Sequence, residues 1–326
     1  MRENMLSLAR FDDMGGSRPK KDMTRNAEKN DTTFRCGVLK DHSYVSFSPA
    51  MHTAGYGSVG VQGYEYKEYS VEKPDFKKQM AEFLDPSNNF RLISVGKPYK
   101  EDVMAKDDAG NFIYLNGGID QAAELIGAVN TIIIDKSPNG DEIFASGTNT
   151  DYIGFVEAVK EKGGKLDGVV MVSGSGGAAR ASIFGALQEG AKEIIVVARD
   201  TKDEEKKKVL EKLVSDFEKQ GANISILDLA QLTVEDMAEA DVIVSATGSS
   251  MVLPAEGILE DHAVVEWAYD KGIKETELER EAKLRAKMVA DGRSILVHQA
   301  IGQFERATGH NAPLEVFREE VKKGTL

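Results

Sequence analysis

The spacing of hydrophobic residues changes repeatedly along the chain and predicts alternating strands and helices. Unbroken apolar runs occur at Val169–Val172, at Ile194–Val197 and within Asp241–Gly248, and such runs are typical of strands buried in a parallel sheet. Between the first two, apolar residues recur with helical spacing up to Gly190, where a helix is expected to end. Tyr64–Tyr69 instead alternates aromatic and charged residues, as a strand does. The pattern as a whole predicts an α/β protein.

The turn after the first apolar run has the spacing of a dinucleotide-binding site. Gly174, Gly176 and Ala179 fit a pattern in which the first residue allows a tight turn, the second lets backbone approach a pyrophosphate, and the third lets helix pack on strand. Backbone N–H groups at the start of the following helix would face the phosphates. A strand, turn and helix with a purely structural role is the alternative. The predicted cofactor-binding residues of this turn are Gly174, Ser175, Gly176, Gly177 and Ala178.

Residues at two further strand ends bear on the choice of cofactor. Such a fold often carries an acidic residue after the second strand, which binds the ribose 2′-hydroxyl of NAD, whereas an arginine accommodates the 2′-phosphate of NADP. Here Ala198 is followed by Arg199 and then Asp200, which favours NADP, although Asp200 could reach a ribose and NAD stays open. Thr247 ends another predicted strand at the edge where ligands of such sheets bind, so we expect it to contact the cofactor.

The order of the elements indicates two domains after a polar N-terminal stretch. Residues 1–33 have mixed charge and little apolar periodicity, which predicts a poorly ordered extension. Residues 34–150 alternate short strands and helices and predict a compact α/β domain. From 151 to 289, long helices separate buried strands, which predicts a Rossmann-type doubly wound parallel sheet that binds a dinucleotide. Two expected helices, Ile295–Thr308 and Leu314–Lys322, close the chain.

Composition excludes several classes of protein. The chain has 41 basic and 54 acidic residues, a net charge of -13, which argues against a general nucleic-acid or anionic-membrane surface. No apolar run approaches the roughly 18 residues of a membrane span, and Met1–Asn4 lacks the core of a signal peptide. The single cysteine, Cys36, rules out an internal disulfide and fits a cytoplasmic protein. Five histidines without close ligand spacing make a metal site improbable.

Several short motifs stand in one order along the chain. They are Ser46-Phe47-Ser48-Pro49 with His52, Pro98-Tyr99-Lys100-Glu101, Ile126-Gly127-Ala128-Val129-Asn130-Thr131, Asn149-Thr150-Asp151, the turn from Gly174 to Arg180, and Gln299. In this order, over roughly residues 34–320, the chain resembles the shikimate dehydrogenase family, including its quinate/shikimate branch. A single one of these motifs can occur by chance, but the full set in this order is a specific signal of the family.

The resemblance implies a two-domain enzyme of the chorismate pathway of aromatic amino acid biosynthesis. Its first domain would bind a small carboxylate substrate, and its C-terminal helices, residues 290–326, would fold back onto that domain. The expected reaction is reversible hydride transfer between NADP or NAD and shikimate, 3-dehydroshikimate or quinate, in a monomer or homodimer. By position, Lys100 and Asp151 match the catalytic pair. Residues that match the substrate site are Ser46 and Ser48 for the carboxylate, Asn130 and Gln299 for ring hydroxyls, and Tyr269 for an aromatic contact.

The chain also departs from the pattern of the family. Family members usually have Asn-Val-Thr, an apolar residue and proline before the lysine, where this chain has Ser94, Val95, Gly96, Lys97 and Pro98. A threonine hydroxyl is thereby lost and a cation gained, so a different hydroxy acid substrate or a non-catalytic nucleotide sensor stays open. A folate-type methylene dehydrogenase is a third alternative, but it does not account for the serine motif. Without the resemblance, Ser48 would be interpreted as a helix cap, Lys100 as a surface lysine and Asp151 as a helix-terminal carboxylate.

Overall fold

The fold was taken from a computed structural model that describes residues 33–199, 201–247, 253–269 and 275–324. Thr33–Leu326 belongs to one compact unit. The predicted α/β class is confirmed: the described chain contains one mixed sheet and one parallel sheet with helices packed on them. The predicted extension, apart from Thr33, and Asp200 lie outside the described residues.

Eleven strands and ten α-helices are found in these ranges. The strands are β1 Phe34–Lys40, β2 Tyr64–Ser70, β3 Phe90–Val95, β4 Thr131–Lys136, β5 Ile143–Thr148, β6 Val169–Ser173, β7 Glu193–Ala198, β8 Ile224–Asp228, β9 Val242–Ser245, β10 Ala263–Glu266 and β11 Met288–Ala290. The helices are α1 Ser48–Ser58, α2 Phe76–Phe83, α3 Gln121–Ile126, α4 Asp151–Glu161, α5 Gly177–Gln188, α6 Glu204–Glu218, α7 Val234–Ala238, α8 Glu277–Arg285, α9 Gly292–Thr308 and α10 Leu314–Lys323.

The first sheet has the strand order β2-β1-β3-β4-β5. β1 is parallel to both β2 and β3, whereas β4 is antiparallel to β3 and to β5. The register sets Leu39 of β1 opposite Val95 of β3, so both strands end at one edge. Ser94 of β3 lies opposite Thr131 of β4. This edge therefore collects residues that come directly after β1 and β3 together with residues that precede β4.

The second sheet is parallel throughout, with the order β11-β10-β9-β6-β7-β8. This is the arrangement of a Rossmann sheet, in which β6 is the first strand of the sheet in chain order and lies between β7 and β9. Connections leave β6 and β9 in opposite directions, and the carboxyl ends of these two strands border the crevice where ligands bind in such folds. Gly174 follows β6 and Ala246 follows β9 at this point.

The last two helices pack on the first sheet, although they come after the second in sequence. Val297 and Phe304 of α9 and Phe317 of α10 share one buried cluster with Cys36 of β1 and Met51 of α1. α9 also packs along α4, the helix that follows the first sheet. The C-terminal segment therefore contacts both the face of the first sheet and the start of the second half of the chain.

Three short elements were not predicted. β5 contains Ala145, Ser146 and Gly147, which have low strand propensity, and it pairs with β4 through the geometry of a hairpin. β11 has three residues, too few for a periodic signal. α7 has five residues, but its capping box, formed by Thr233 and Asp236, was a local signal in the sequence. The two strands depend on pairing with their neighbours in the sheets, whereas α7 has a local signal of its own.

Candidate active site

Lys100 and Asp151 meet between the end of β3 and the start of α4. Lys100 Nζ donates a hydrogen bond to Asp151 Oδ2 at 2.6 Å. The backbone carbonyl of Lys100 accepts from Val129 N at 2.9 Å, and Asp151 N donates to Asn149 Oδ1 at 2.9 Å, so both backbones are held in place. The side chains of Lys100 and Asp151 are 27% and 13% exposed. The pair is therefore half-buried yet open to a small molecule.

Asn130 connects this ion pair to Gln299. Asn130 Nδ2 donates to Asp151 Oδ1 at 2.9 Å and to Thr150 Oγ1 at 3.0 Å, and it lies 3.4 Å from Gln299 Oε1. Asn130 Oδ1 accepts from Thr150 N at 2.8 Å. Four predicted site residues thus form one hydrogen-bonded group, namely Lys100, Asp151, Asn130 and Gln299. Thr150 joins them, although it was quoted only as part of a motif and not predicted as a site residue.

A buried polar network lies beneath this group. Gln303 Nε2 donates to Thr131 Oγ1 at 3.0 Å, and its Oε1 accepts from Ser94 Oγ at 2.8 Å. Tyr66 Oη in turn donates to Ser94 Oγ at 2.7 Å. Sequence reasoning missed Gln303, although it lies four residues after Gln299 and therefore on the same side of α9. The network fixes the rotation of α9 against β3 and β4.

The two serines of the first motif lie at the N-terminus of α1. The predicted capping role of Ser48 is wrong: α1 begins at Ser48, its N-cap residue is Phe47, and the cap makes no side-chain hydrogen bond. Ser46 Oγ instead accepts from Ser48 N at 3.1 Å, while Ser46 N donates to Glu68 Oε2 at 3.3 Å. The local turn is therefore formed by the earlier serine, and the Ser48 hydroxyl is not used to start the helix.

His52, which follows the serine motif, is packed inside the first sheet's aromatic cluster. Its ring is fully buried and stacks on Tyr66, with ring centroids 4.3 Å apart. Burial lowers the pKa of His52 to about 3. His52 is therefore a neutral packing residue at physiological pH.

Tyr269 follows β10 and approaches the serine motif from the second half of the chain. Its ring centroid lies 6.4 Å from that of Phe47, and its side chain is 41% exposed. Gly292 leaves room for it, since a Cβ added there would lie 2.9 Å from Tyr269 Cδ1. The predicted aromatic contact is thus available on a surface that a substrate could reach.

The turn between β6 and α5 has the shape expected of a pyrophosphate site. Gly174 adopts φ 104°, and its N donates to Val197 O at 2.8 Å. A Cβ on Gly174 would lie 2.7 Å from Thr247 Cγ2, so the ends of β6 and β9 touch here. A Cβ on Gly176 or Gly177 would meet no atom within 4 Å. The first glycine is required by the turn, and the next two leave open the space that a bound phosphate would use.

The residues expected to choose the cofactor lie after β7. Ala198 ends that strand and Arg199 follows it on the surface. Thr201 Oγ1 donates to Asp228 at the end of β8, which occupies that carboxylate with a protein contact. The neutral strand end and the neighbouring arginine are the features that favour a 2′-phosphate.

Neither a metal site nor a membrane-spanning helix is found in the described ranges. Among those residues, no three histidine, cysteine, aspartate or glutamate side chains are grouped so that they could hold a metal ion. No helix there combines the length and apolar character needed to cross a membrane.

Comparison with known sequences identifies the family. A family model described as the shikimate dehydrogenase substrate binding domain matches residues 41–132. The shikimate dehydrogenase (NADP(+)) of Haloarcula marismortui is 30% identical over 286 residues, covering 86% of this chain and 95% of the relative. The chain belongs to the shikimate dehydrogenase family. The enzyme of the same name from Lactococcus lactis subsp. cremoris is 31% identical over 288 residues, covering 85% of this chain and 93% of that one. The family consists of NAD(P)-dependent oxidoreductases, as the ordered motifs indicated.

Solved structures of shikimate dehydrogenases share the fold. One in complex with NADP+ superposes with a TM-score of 0.73 at 28% identity, covering 90% of this chain and 96% of that chain. The Thermus thermophilus enzyme in complex with NADP(H) and shikimate gives 0.71 at 28% identity, covering 90% of this chain and all of its own (100%). The family resemblance drawn from the sequence is confirmed.

Proposed function

We propose that this chain is an NADP(H)-preferring dehydrogenase of the shikimate type. It interconverts the ring alcohol and ketone of shikimate and 3-dehydroshikimate, or of quinate, and Lys100 and Asp151 handle the proton. The observation that carries the proposal is the 2.6 Å contact between Lys100 Nζ and Asp151 Oδ2 beside Asn130 and Gln299. The relatives that span nearly the whole chain are named for the same activity.

The chemistry of alcohol oxidation explains why these groups are wanted. A nicotinamide, when bound, accepts or donates the hydride. The hydroxyl proton must leave in the same step, and in the reverse direction a proton must reach the forming alkoxide. The Lys100 amine can hold or move that proton at Nζ, while Asp151 orients it. Because Asn130 Nδ2 occupies the second oxygen of Asp151, the carboxylate presents Oδ2 to the lysine in one orientation.

The remaining site residues suit a hydroxylated carboxylate. Ser46 and Ser48 carry two hydroxyls at the N-terminus of α1, where backbone N–H groups and the helix dipole favour an anion. Gln299 and Asn130 provide amide groups beside the ion pair, and Tyr269 provides an exposed ring near Phe47 of the serine motif. A ring with a carboxylate at one end and hydroxyls at the other fits this distribution.

The β6–α5 turn supports the cofactor assignment. Gly176 and Gly177 leave open space at the N-terminus of a helix of twelve residues, where pyrophosphate is stabilised by backbone N–H groups. Thr247, which follows β9, lies against Gly174 at the start of the same turn. Arg199 is suited to the 2′-phosphate, and NAD is expected as the weaker cofactor.

The proposal is tested by following absorbance at 340 nm with shikimate or quinate and with NADP+ or NAD+. Lys100→Met and Asp151→Asn should each lower kcat by about 10²- to 10⁴-fold, because a positioned acid-base group contributes that much. The matched control is Lys77→Met, which removes an exposed lysine of α2. Wild-type protein that binds NADPH without turnover of either substrate, or full activity in Lys100→Met, would contradict the proposal and favour a nucleotide sensor.

A further inference from the structure

Tyr44 lies in the loop between β1 and α1. Its hydroxyl lies where the side chain of a larger residue at position 96 would be. A Cβ built on Gly96 would lie 2.0 Å from Tyr44 Oη, far closer than two such atoms can approach. Gly96 N donates to Leu39 O at 2.7 Å, so its backbone is tied to the end of β1 and cannot move aside. Tyr44 and Gly96 therefore exclude every larger residue at position 96 while the tyrosine keeps its position.

The face of the sheet at this point is the one that carries the candidate site. Gly96 directly follows β3, and its N–H still pairs with Leu39 of β1, so the alternation of the strand extends to position 96, which points to the same face as Ser94. Ser94 bonds Gln303 on α9, and α9 also carries Gln299. Val95 N donates to Asn130 O at 2.7 Å, which sets position 96 directly beside the residue that bonds Asp151. The Tyr44 hydroxyl is thus directed to the edge where the polar groups of the site converge.

An ion pair between a buried lysine and an exposed glutamate lies beside the tyrosine. Lys40, the last residue of β1, is 1% exposed, and its Nζ lies 3.1 Å from Glu68 Oε1 and 4.8 Å from the centroid of the Tyr44 ring. The same Glu68 accepts from Ser46 N, so one carboxylate fixes both the tyrosine loop and the serine motif.

The tyrosine is nevertheless reachable, since 38% of it is exposed. Burial of its hydroxyl, with Tyr269 and Asp41 nearby, raises the pKa of Tyr44, so the hydroxyl keeps its proton and stays a donor. A protonated hydroxyl held against a rigid backbone is suited to recognise a polar group of a ligand.

We infer that Tyr44 is a substrate-specificity residue whose hydroxyl, seated on Gly96, hydrogen-bonds a ring hydroxyl or ring carbonyl oxygen of the substrate. The inference rests on the proposed function and deepens it. In this inference, Tyr44 of the β1–α1 loop makes the substrate contact that a side chain at position 96 would otherwise make.

The test compares Tyr44→Phe with wild type in steady-state kinetics and in calorimetric titration with shikimate in the presence of NADPH, which cannot accept a hydride from shikimate and so prevents turnover. Removal of one neutral hydrogen bond should raise KM and Kd for shikimate about tenfold while KM for NADP+ and the melting temperature stay unchanged. The ratio of kcat/KM for shikimate over quinate should also change. Tyr64→Phe is the matched control, because that hydroxyl donates to Ala307 O at the opposite end of β2 and should leave every constant as it is.

A second pair of variants tests whether position and hydroxyl both matter. Gly96→Ser in the wild-type background should displace Tyr44 and raise KM for shikimate, whereas Tyr44→Ala with Gly96→Ser should recover part of the loss of Tyr44→Ala. Unchanged KM and Kd in Tyr44→Phe would overturn the inference and leave Tyr44 as a space-filling residue. Because titration does not require turnover, an inactive wild type that binds shikimate through Tyr44 would sink the proposed function and leave this inference standing.

Discussion

At the scale of single residues, burial decides which titratable groups serve the site. Lys100 and Asp151 keep part of their surface open and have each other as partner. His52, four residues after Ser48, is enclosed by aromatic rings and is neutral. Both kinds of residue belong to motifs of the family, so motif membership alone does not distinguish a group that exchanges protons from one that packs.

The buried histidine makes stability depend on pH. Burial holds the pKa of His52 at about 3 in the folded protein against 6.5 for an ordinary histidine, so below pH 6.5 the unfolded chain takes up a proton that the folded chain does not. Stability is therefore lost as pH falls through this window. Between pH 7 and pH 5, urea unfolding of wild type should lose about 2 kcal/mol more than unfolding of His52→Phe.

The control for this measurement is His310→Phe, which replaces an exposed histidine and should keep the pH dependence of wild type. Parallel pH curves for wild type and His52→Phe would mean that His52 takes up its proton over the same pH range in the folded protein as in the unfolded chain.

At the scale of elements, the site is made where strands end. The strands β1, β3, β6 and β9 each end at an edge of a sheet. The loops that follow them contain, in the same order, Tyr44, Gly96, Gly174 and Thr247. Parallel strands leave their carboxyl ends together, so loops that are distant in sequence become neighbours. In the β6–α5 turn, Gly174 shapes the backbone, whereas Gly176 and Gly177 leave room for a ligand.

Two glycine substitutions in this turn should differ in their effect. Gly176 has φ -78° and open space around it, so Gly176→Ala should fold with unchanged melting temperature and yet weaken NADPH binding by at least about tenfold. Gly174 has φ 104° and touches Thr247, so Gly174→Ala should lower both stability and cofactor binding. Thermal melts and fluorescence titration with NADPH measure the two effects, and tight NADPH binding by Gly176→Ala would argue against a pyrophosphate site here.

At the scale of the whole molecule, α4 and α9 hold the candidate site together. α4 begins with Asp151, and α9 carries Gln299 and Gln303 from near the end of the chain. Glu161 at the end of α4 bonds His298 Nε2 at 2.7 Å and also Arg318 of α10. Burial would raise the pKa of Glu161, but its hydrogen bonds with His298 and Arg318 outweigh this and keep the pKa below its usual value. The three helices are thus joined by charge at Glu161, and α4 and α9 also meet at the candidate site.

The close approach of these helices depends on Gly154. A Cβ there would lie 2.5 Å from Ile295 O and 3.0 Å from Gln299 Cβ, and the first of these is backbone. Gly154→Ala should therefore separate α4 from α9, lower the free energy of unfolding by about 1–3 kcal/mol, and lower kcat/KM for shikimate because Asp151 and Gln299 move apart.

The matched control is Gly57→Ala in α1, where an added Cβ meets nothing within 4 Å. That variant should be as stable as wild type or more stable by about 0.5–1 kcal/mol, with normal kinetics. Equal stability and activity in the two variants would show that the helix contact is not tight.

The sequence by itself determined the elements whose signals are local. Long apolar runs predicted β6, β7 and β9, and the glycine spacing predicted the turn and the start of α5, because a strand buried on both faces and a tight turn each restrict the residue types within a few positions. The ordered motifs also indicated the family and paired Lys100 with Asp151.

The tertiary structure alone decided which side chains meet across long distances in the chain. Ser46 rather than Ser48 forms the turn before α1, Gln303 joins Ser94 and Tyr66, and Tyr44 fills the space above Gly96. Such contacts depend on strand register and on how α9 returns to the first sheet, and no periodicity in the sequence carries that information.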